Sequence, residues 1–155
     1  MKHITAGQST ITSFPIAIVV SEFNRDITRA LQEGALGRLR TLGFKEEDIT
    51  VIEVPGAVEI PVTAMHLAKK GNYSIIIALG AVIQGETDHY QLVCEQVSQG
   101  CQQVALTYGV PVIYEVLALK NEAQAWDRAG GKHGNKGVEA ANCALAMYEI
   151  LKQLD

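Results

Sequence analysis

Apolar and polar positions along the chain switch repeatedly between two periods. "IAIVV" (Ile16 to Val20) is a short, unbroken, β-branched run, as expected of a strand buried on both faces. The next stretch, from Asn24 to Gly43, sets Ile27, Leu31, Ala35, Leu39 and Leu42 at helical spacing, and Gly43 is a fitting stop. "ITVIEV" (Ile49 to Val54) predicts a second strand. Val58 to Gly71 predicts a second helix, with Pro61 tolerable only in its first turn. "YSIIIALGAVI" (Tyr73 to Ile83) predicts a third strand, and Thr87 to Gly109 a third helix. A fourth strand is expected over Val110 to Leu119, a short helix over Asn121 to Gly131, and a terminal helix over Asn135 to Leu154.

Strands alternating with helices imply parallel pairing, right-handed crossovers and helices on both faces of the sheet. The expected architecture is a three-layer α/β/α sandwich with a short parallel sheet, flavodoxin-like, in one domain spanning the 155 residues. Sheets of this kind bind ligands beyond the carboxyl ends of their strands. The loops to inspect are therefore "SEFN", "PGAVE" and "GAVIQGETDHY".

Composition changes this picture little. Hydrophobic residues make up 48% and charged ones 19%, which excludes a disordered chain. A net charge of −4 and the lack of any Lys/Arg run give no reason to expect nucleic acid or an anionic membrane as partner. Cys94, Cys101 and Cys143 are odd in number and have no paired spacing, which argues against a disulfide framework and fits a reducing compartment. No Cys or His cluster has zinc spacing, and no metal is expected. "MKHITAGQSTITSF" lacks the apolar core of a signal peptide, and no apolar run approaches the ~20 residues of a membrane helix. A soluble, cytoplasmic protein is the expectation.

The loops carry the chemistry. Gly85 permits a tight turn, and Glu86 and Thr87 are expected to open a helix, whose first N–H groups attract anions. Thr87 adds a hydroxyl donor, though it also suits ordinary helix capping. His89, one step on, is a side chain able to move protons near neutral pH, or a structural histidine. Pro55-Gly56 turns the chain sharply, and Gly56 and Ala57 are small enough to let a ligand reach the backbone. Glu59 suits a polyol or a helix dipole. Phe23 suits stacking on a planar ring or burial in the core, and Asn24 suits a helix cap. "RAGGKHGNKG" (Arg128 to Gly137) is not a phosphate loop of the P-loop kind; it offers Arg128 and Lys136 to an anion or simply a solvated turn between helices.

"VPGAVEIP", "ALGAVIQGETDHY", "GVPVIYEVL" and "RAGGKHGNKGVEAA", in this order, resemble the lumazine synthase family, which acts at the penultimate step of riboflavin formation. The resemblance runs from about Ile16 to the last helix. It implies a transferase-type, cofactor-free condensation of 5-amino-6-(D-ribitylamino)uracil with 3,4-dihydroxy-2-butanone 4-phosphate. The products are 6,7-dimethyl-8-ribityllumazine, phosphate and water. It further implies that Phe23 stacks on the pyrimidine, that Ala57, Val58 and Glu59 hold the ribityl chain, and that Val82 and Ile83 line the ring pocket. Gly85, Glu86 and Thr87 would seat the phosphate, with Arg128 as counter-charge, and His89 would carry protons. Tyr114 and Lys136 would enter from a neighbouring subunit or close the pocket's edge. A homopentamer is implied as the minimum assembly, an icosahedral shell as its extension, and riboflavin synthase as a candidate partner. The segment 1–14, in which "STITSF" alternates hydroxyl and apolar residues, suits pairing with a neighbouring subunit.

The sequence departs from the family pattern at Glu22, Val58, Gln84, Tyr114-Glu115 and Ala118-Leu119. Gln84 removes a positive charge beside the phosphate loop, and Glu115 adds a negative one at the pocket rim. A different class of reading is a non-catalytic flavin- or lumazine-binding relative, or a shell-forming protein without activity. The presence of His89, Arg128 and Lys136 together favours the enzyme.

Overall fold

A computed structural model describes residues 1–7, 10 and 13–155. The strands are β1 (Ile16–Ser21), β2 (Ile49–Val54), β3 (Ile75–Ile83) and β4 (Val112–Leu119), all parallel, in the order β2-β1-β3-β4. The helices are α1 (Arg25–Thr41), α2 (Ile60–Lys70), α3 (His89–Tyr108), α4 (Glu122–Arg128) and α5 (Lys136–Leu154). Every residue of β1 is buried, as its unbroken apolar run requires of a central strand. Alternate side chains of the sheet enter two separate cores. Ile16, Ile18, Ile75, Ile77 and Leu79 pack with Leu31, Ala35 and Ala140 from α1 and α5. Ala17, Val19, Ile76, Ala78 and Val116 pack with Ile60, Ala64, Val97 and Cys101 from α2 and α3. This is the expected α/β/α sandwich.

Three element boundaries differ from the sequence reading, each for a local reason. The second helix is led in by a single 3₁₀ turn over Ala57–Glu59, and the α-helix starts only at Ile60. Glu59 Oε1 accepts from the Gly56 N–H at 3.1 Å and closes that turn. The third helix starts at His89 rather than Thr87, so Gly85, Glu86 and Thr87 form a loop before it. The fourth helix stops at Arg128, because the chain folds back so tightly that a Cβ at Gly131 would stand 2.6 Å from the Trp126 carbonyl oxygen. "AGG" instead opens a small antiparallel hairpin, β5 (Ala129–Gly131) with β6 (Gly134–Asn135), turning through Gly130 and Gly134 at positive φ. The expected helix-to-helix turn is thus a hairpin.

Asn135 locks that hairpin to the rest of the chain. Its amide donates to the Ala30 carbonyl of α1 at 3.1 Å, while its Oδ1 accepts from the Gly137 and Val138 N–H groups and caps α5. At the other end of α5, Gln153 donates to the Thr5 carbonyl at 2.8 Å and the Glu149 carboxylate accepts from the Gly7 N–H. The N-terminal residues at those contacts therefore lie on their own chain's last helix. The expected pairing of "STITSF" with a neighbour falls partly on Ser9, Ile11 and Thr12, which lie outside the described residues. No described helix is long and apolar enough to cross a membrane.

Candidate active site

β3 has nine residues where β1 has six, and the extra length makes a shelf. The β1–β3 ladder ends at Val20 and Leu79, whereas β4 accompanies β3 to Ile83. Ala81, Val82 and Ile83 therefore project past β1 as the floor of a cleft of about 310 Å³ at the carboxyl edge of the sheet. Gly56, Ala57 and Val58 line it from the lead-in to α2. Gly85, Thr87, His89, Tyr90 and Val93 line it from the loop and first turns of α3, and Phe23 from the loop after β1.

Phe23 is 72% exposed, so the core-packing reading fails and the ring is free to meet a ligand. Asn24 next to it does not cap α1 with its side chain. It sits in the left-handed region (φ 61°) and its amide donates to the Ala81 carbonyl at 2.9 Å. Ala81 is the first shelf residue past the ladder, so Asn24 replaces the rung that β1 would have supplied and holds the Phe23 loop to the shelf.

Thr87 Oγ1 accepts from the His89 N–H at 3.3 Å, which does the capping job the sequence allowed and leaves its own hydroxyl proton to donate. The Tyr90 N–H, also in the first turn of α3, has no acceptor among the described residues. The loop and the helix start thus offer unsatisfied donors where the sheet ends, which suits an anion.

Of the expected site residues, Phe23, Ala57, Val58, Val82, Ile83, Gly85, Thr87 and His89 come together in this cleft. Glu86 lies in the same loop, exposed. Glu59 is turned toward Gly56 and braces the α2 lead-in. Three residues lie away from the cleft lining. Tyr114 is on β4, an edge strand of the sheet among the described residues, with its side chain on the α3 side. Its hydroxyl is pushed well above the ordinary tyrosine range, first by burial and then by the neighbouring Cys101 and Cys94 thiols. Arg128, at the end of α4, donates to the Gln124 carbonyl at 3.0 Å. Lys136, opening α5, pairs with Glu139 at 3.1 Å. Among the described residues no three His, Cys, Asp or Glu side chains gather as metal ligands.

Gly56, expected to let a ligand reach the backbone, also lines the cleft, whereas Ala81, Tyr90 and Val93 were not expected there. Tyr90 and Val93 were legible in part, since an i, i+3 pair after His89 shares one helix face.

The model for the 6,7-dimethyl-8-ribityllumazine synthase family matches residues 13–152. The chain belongs to that family. Similar proteins described as 6,7-dimethyl-8-ribityllumazine synthase come from three strains of Coxiella burnetii, each 52% identical over 146 residues, covering 94% of this chain and 97% of the relative. The family match takes in the shelf, the phosphate-type loop and the hairpin alike, so no part of the cleft falls outside it.

Proposed function

We propose that this chain is an active lumazine synthase that joins 5-amino-6-(D-ribitylamino)uracil to 3,4-dihydroxy-2-butanone 4-phosphate. The observation that carries the reading is the cleft itself: a stacking ring (Phe23), an apolar shelf, an anion-suited loop and a histidine meet within one pocket. The pyrimidine lies on the shelf under Phe23, its ribityl chain runs along Ala57, Val58 and Glu59, and the phosphate sits at Gly85, Glu86 and Thr87. The pyrimidine's amine adds to the ketone, water leaves to give an imine, phosphate is eliminated, and the second nitrogen closes the ring with loss of water.

The amine is already nucleophilic, so holding two substrates in line accounts for most of the acceleration. His89 stands one helical step from the phosphate loop and takes the proton released on attack and returns it to the departing hydroxyl. Losing it should slow turnover by about 10²-fold and by no more than about 10⁴-fold, the range of one general acid–base group.

Arg128, Tyr114 and Lys136 lie outside their own cleft, and a neighbouring subunit is the natural recipient. Tyr114 sits on the last strand of the sheet, and Arg128 and Lys136 flank the hairpin. We read the assembly as a homopentamer in which each cleft is completed by the next subunit, with an icosahedral shell as its extension and riboflavin synthase as a partner. The unpaired cysteines suit the cytoplasm. Incubation with both substrates tests the activity directly: lumazine absorbance should rise in step with phosphate release. Binding of either substrate without turnover would favour the non-catalytic relative. Light scattering at assay concentration tests the assembly, and a monomeric mass with full activity would refute the shared cleft.

A further inference from the structure

Beyond His89, the wall that α3 gives to the cleft is made by the Tyr90 and Val93 side chains, and the reaction assigned above does not use them. Tyr90 follows His89 directly, and Val93 is one turn further on the same face. Both line the cleft beside Gly85 and Thr87, where the phosphate end of the four-carbon substrate is seated. Tyr90 is half-buried, and Cys94, at i+4, backs it on its own helix face. Burial, with Cys94 beside it, raises the Tyr90 hydroxyl above the ordinary range, so the phenol stays neutral at working pH.

The chemistry changes the polarity of what this wall must touch. At the start the four-carbon unit carries one hydroxyl, a ketone and a phosphate ester. At the end, after loss of phosphate and water, the same carbons are two ring carbons and two methyl groups. A wall of one aromatic ring and one branched aliphatic side chain gains little from the first and more from the second.

The geometry points to Tyr90 and Val93 as positioning residues that seat the dephosphorylated four-carbon unit, so that they favour the intermediates and product formed after phosphate leaves. This rests on the lumazine synthase reading of the same cleft. It does not make either residue a proton carrier.

The test uses the assembled wild-type protein and the variants Tyr90→Leu, Tyr90→Phe and Val93→Ala. The dissociation constant of 6,7-dimethyl-8-ribityllumazine and the KM of each substrate are measured for every protein. Removing methylenes from an apolar pocket costs about 10-fold or more in discrimination. Val93→Ala and Tyr90→Leu should therefore weaken product binding by about 10-fold, while the KM for the butanone phosphate changes by less than about 3-fold. Tyr90→Phe keeps the ring and should restore product affinity to near that of the wild type. Equal losses for product and butanone phosphate would overturn the inference, since they would mean a merely structural wall. Unchanged product affinity in both truncated variants would overturn it as well. A wild-type protein that makes no lumazine would instead sink the functional reading, so the two failures are distinguishable.

Discussion

Gly137 offers the sharpest test of how the hairpin and α5 are held. It lies in the first turn of α5, fully covered by α1. A Cβ built there would overlap the Leu31 carbonyl oxygen, stand 2.8 Å from the Leu31 carbonyl carbon and stand 2.9 Å from Asn135 Oδ1. Relaxed C···O contacts settle near ~3.3–3.6 Å, so Gly137→Ala must open the contact between α5 and α1 by roughly 1.5 Å. That face cannot give cheaply, because Leu31, Ala35, Ala140, Ala141 and Ala144 are all at 0% exposure along it. Overpacking of this kind costs about 1–3 kcal/mol. Disturbing Asn135, which caps α5, adds about 1 kcal/mol. The sum, about 3 kcal/mol, corresponds to a drop of about 6–12 °C in Tm for a chain of this size. Gly37→Ala is the control. It is exposed on α1 with nothing within 4 Å of its Cβ, so the same substitution should stabilise by about 0.5–1 kcal/mol through helix propensity. Thermal melts of both variants beside the wild type decide the matter. A Gly137→Ala protein that melts within about 1 °C of the wild type would show that α1 and α5 are not in the close contact described.

Three further outcomes follow from single residues. Ser21 is buried with no partner for its hydroxyl among the described residues, so Ser21→Ala should be neutral or stabilising by up to about 1 kcal/mol in chemical denaturation; a loss above about 2 kcal/mol would mean the hydroxyl has a partner. Arg128→Gln should raise the KM for the butanone phosphate far more than that for the pyrimidine, and equal effects would remove Arg128 from the phosphate seat. Burial raises the Glu115 carboxyl above its ordinary range, with Lys136 opposing and Glu139 reinforcing. A carboxyl whose folded-state value is raised binds its proton more tightly in the folded protein. Its contribution is therefore present at low pH and lost as pH rises from the unfolded value through the folded one. Glu115→Gln should flatten that part of the Tm-versus-pH curve, and an unaltered curve would show that Glu115 is solvated.

The layers were legible because period settles them: a run such as Ile16 to Val20 has no polar face to expose, and α1 repeats its apolar residues on one stripe. The ends were less so. Thr87 reads as a helix residue by type, yet it caps from outside, a distinction made by backbone angles and not by residue identity. Asn24 reads as a cap, but its amide serves a carbonyl 57 positions away, which no local pattern encodes. Phe23 read more readily as a core residue than as a ligand contact until its loop was placed. Tyr114, Arg128 and Lys136 had motif support only, and a single chain leaves them outside its own cleft.

The overhang of β3 past β1 has a consequence for how the ring is read. In a parallel ladder successive residues turn their N–H and C=O groups to opposite sides. Gln84 N–H turns to Leu119 of β4, and the Ala81 carbonyl turns the other way, to Asn24. Ile83, two residues beyond Ala81, consequently shows its backbone N–H and C=O to the side where no strand stands. A uracil-type ring carries its own row of N–H and C=O groups along one edge, much as a peptide does. On the function proposed above, the cleft would take that edge as a substitute rung, and recognition of the heterocycle would rest on the unequal lengths of two strands rather than on side-chain identity. On that reading, exchanges among apolar residues at 82 and 83 would leave the ring's hydrogen bonds intact, whereas lengthening β1 by two residues would plug the site with the protein's own backbone.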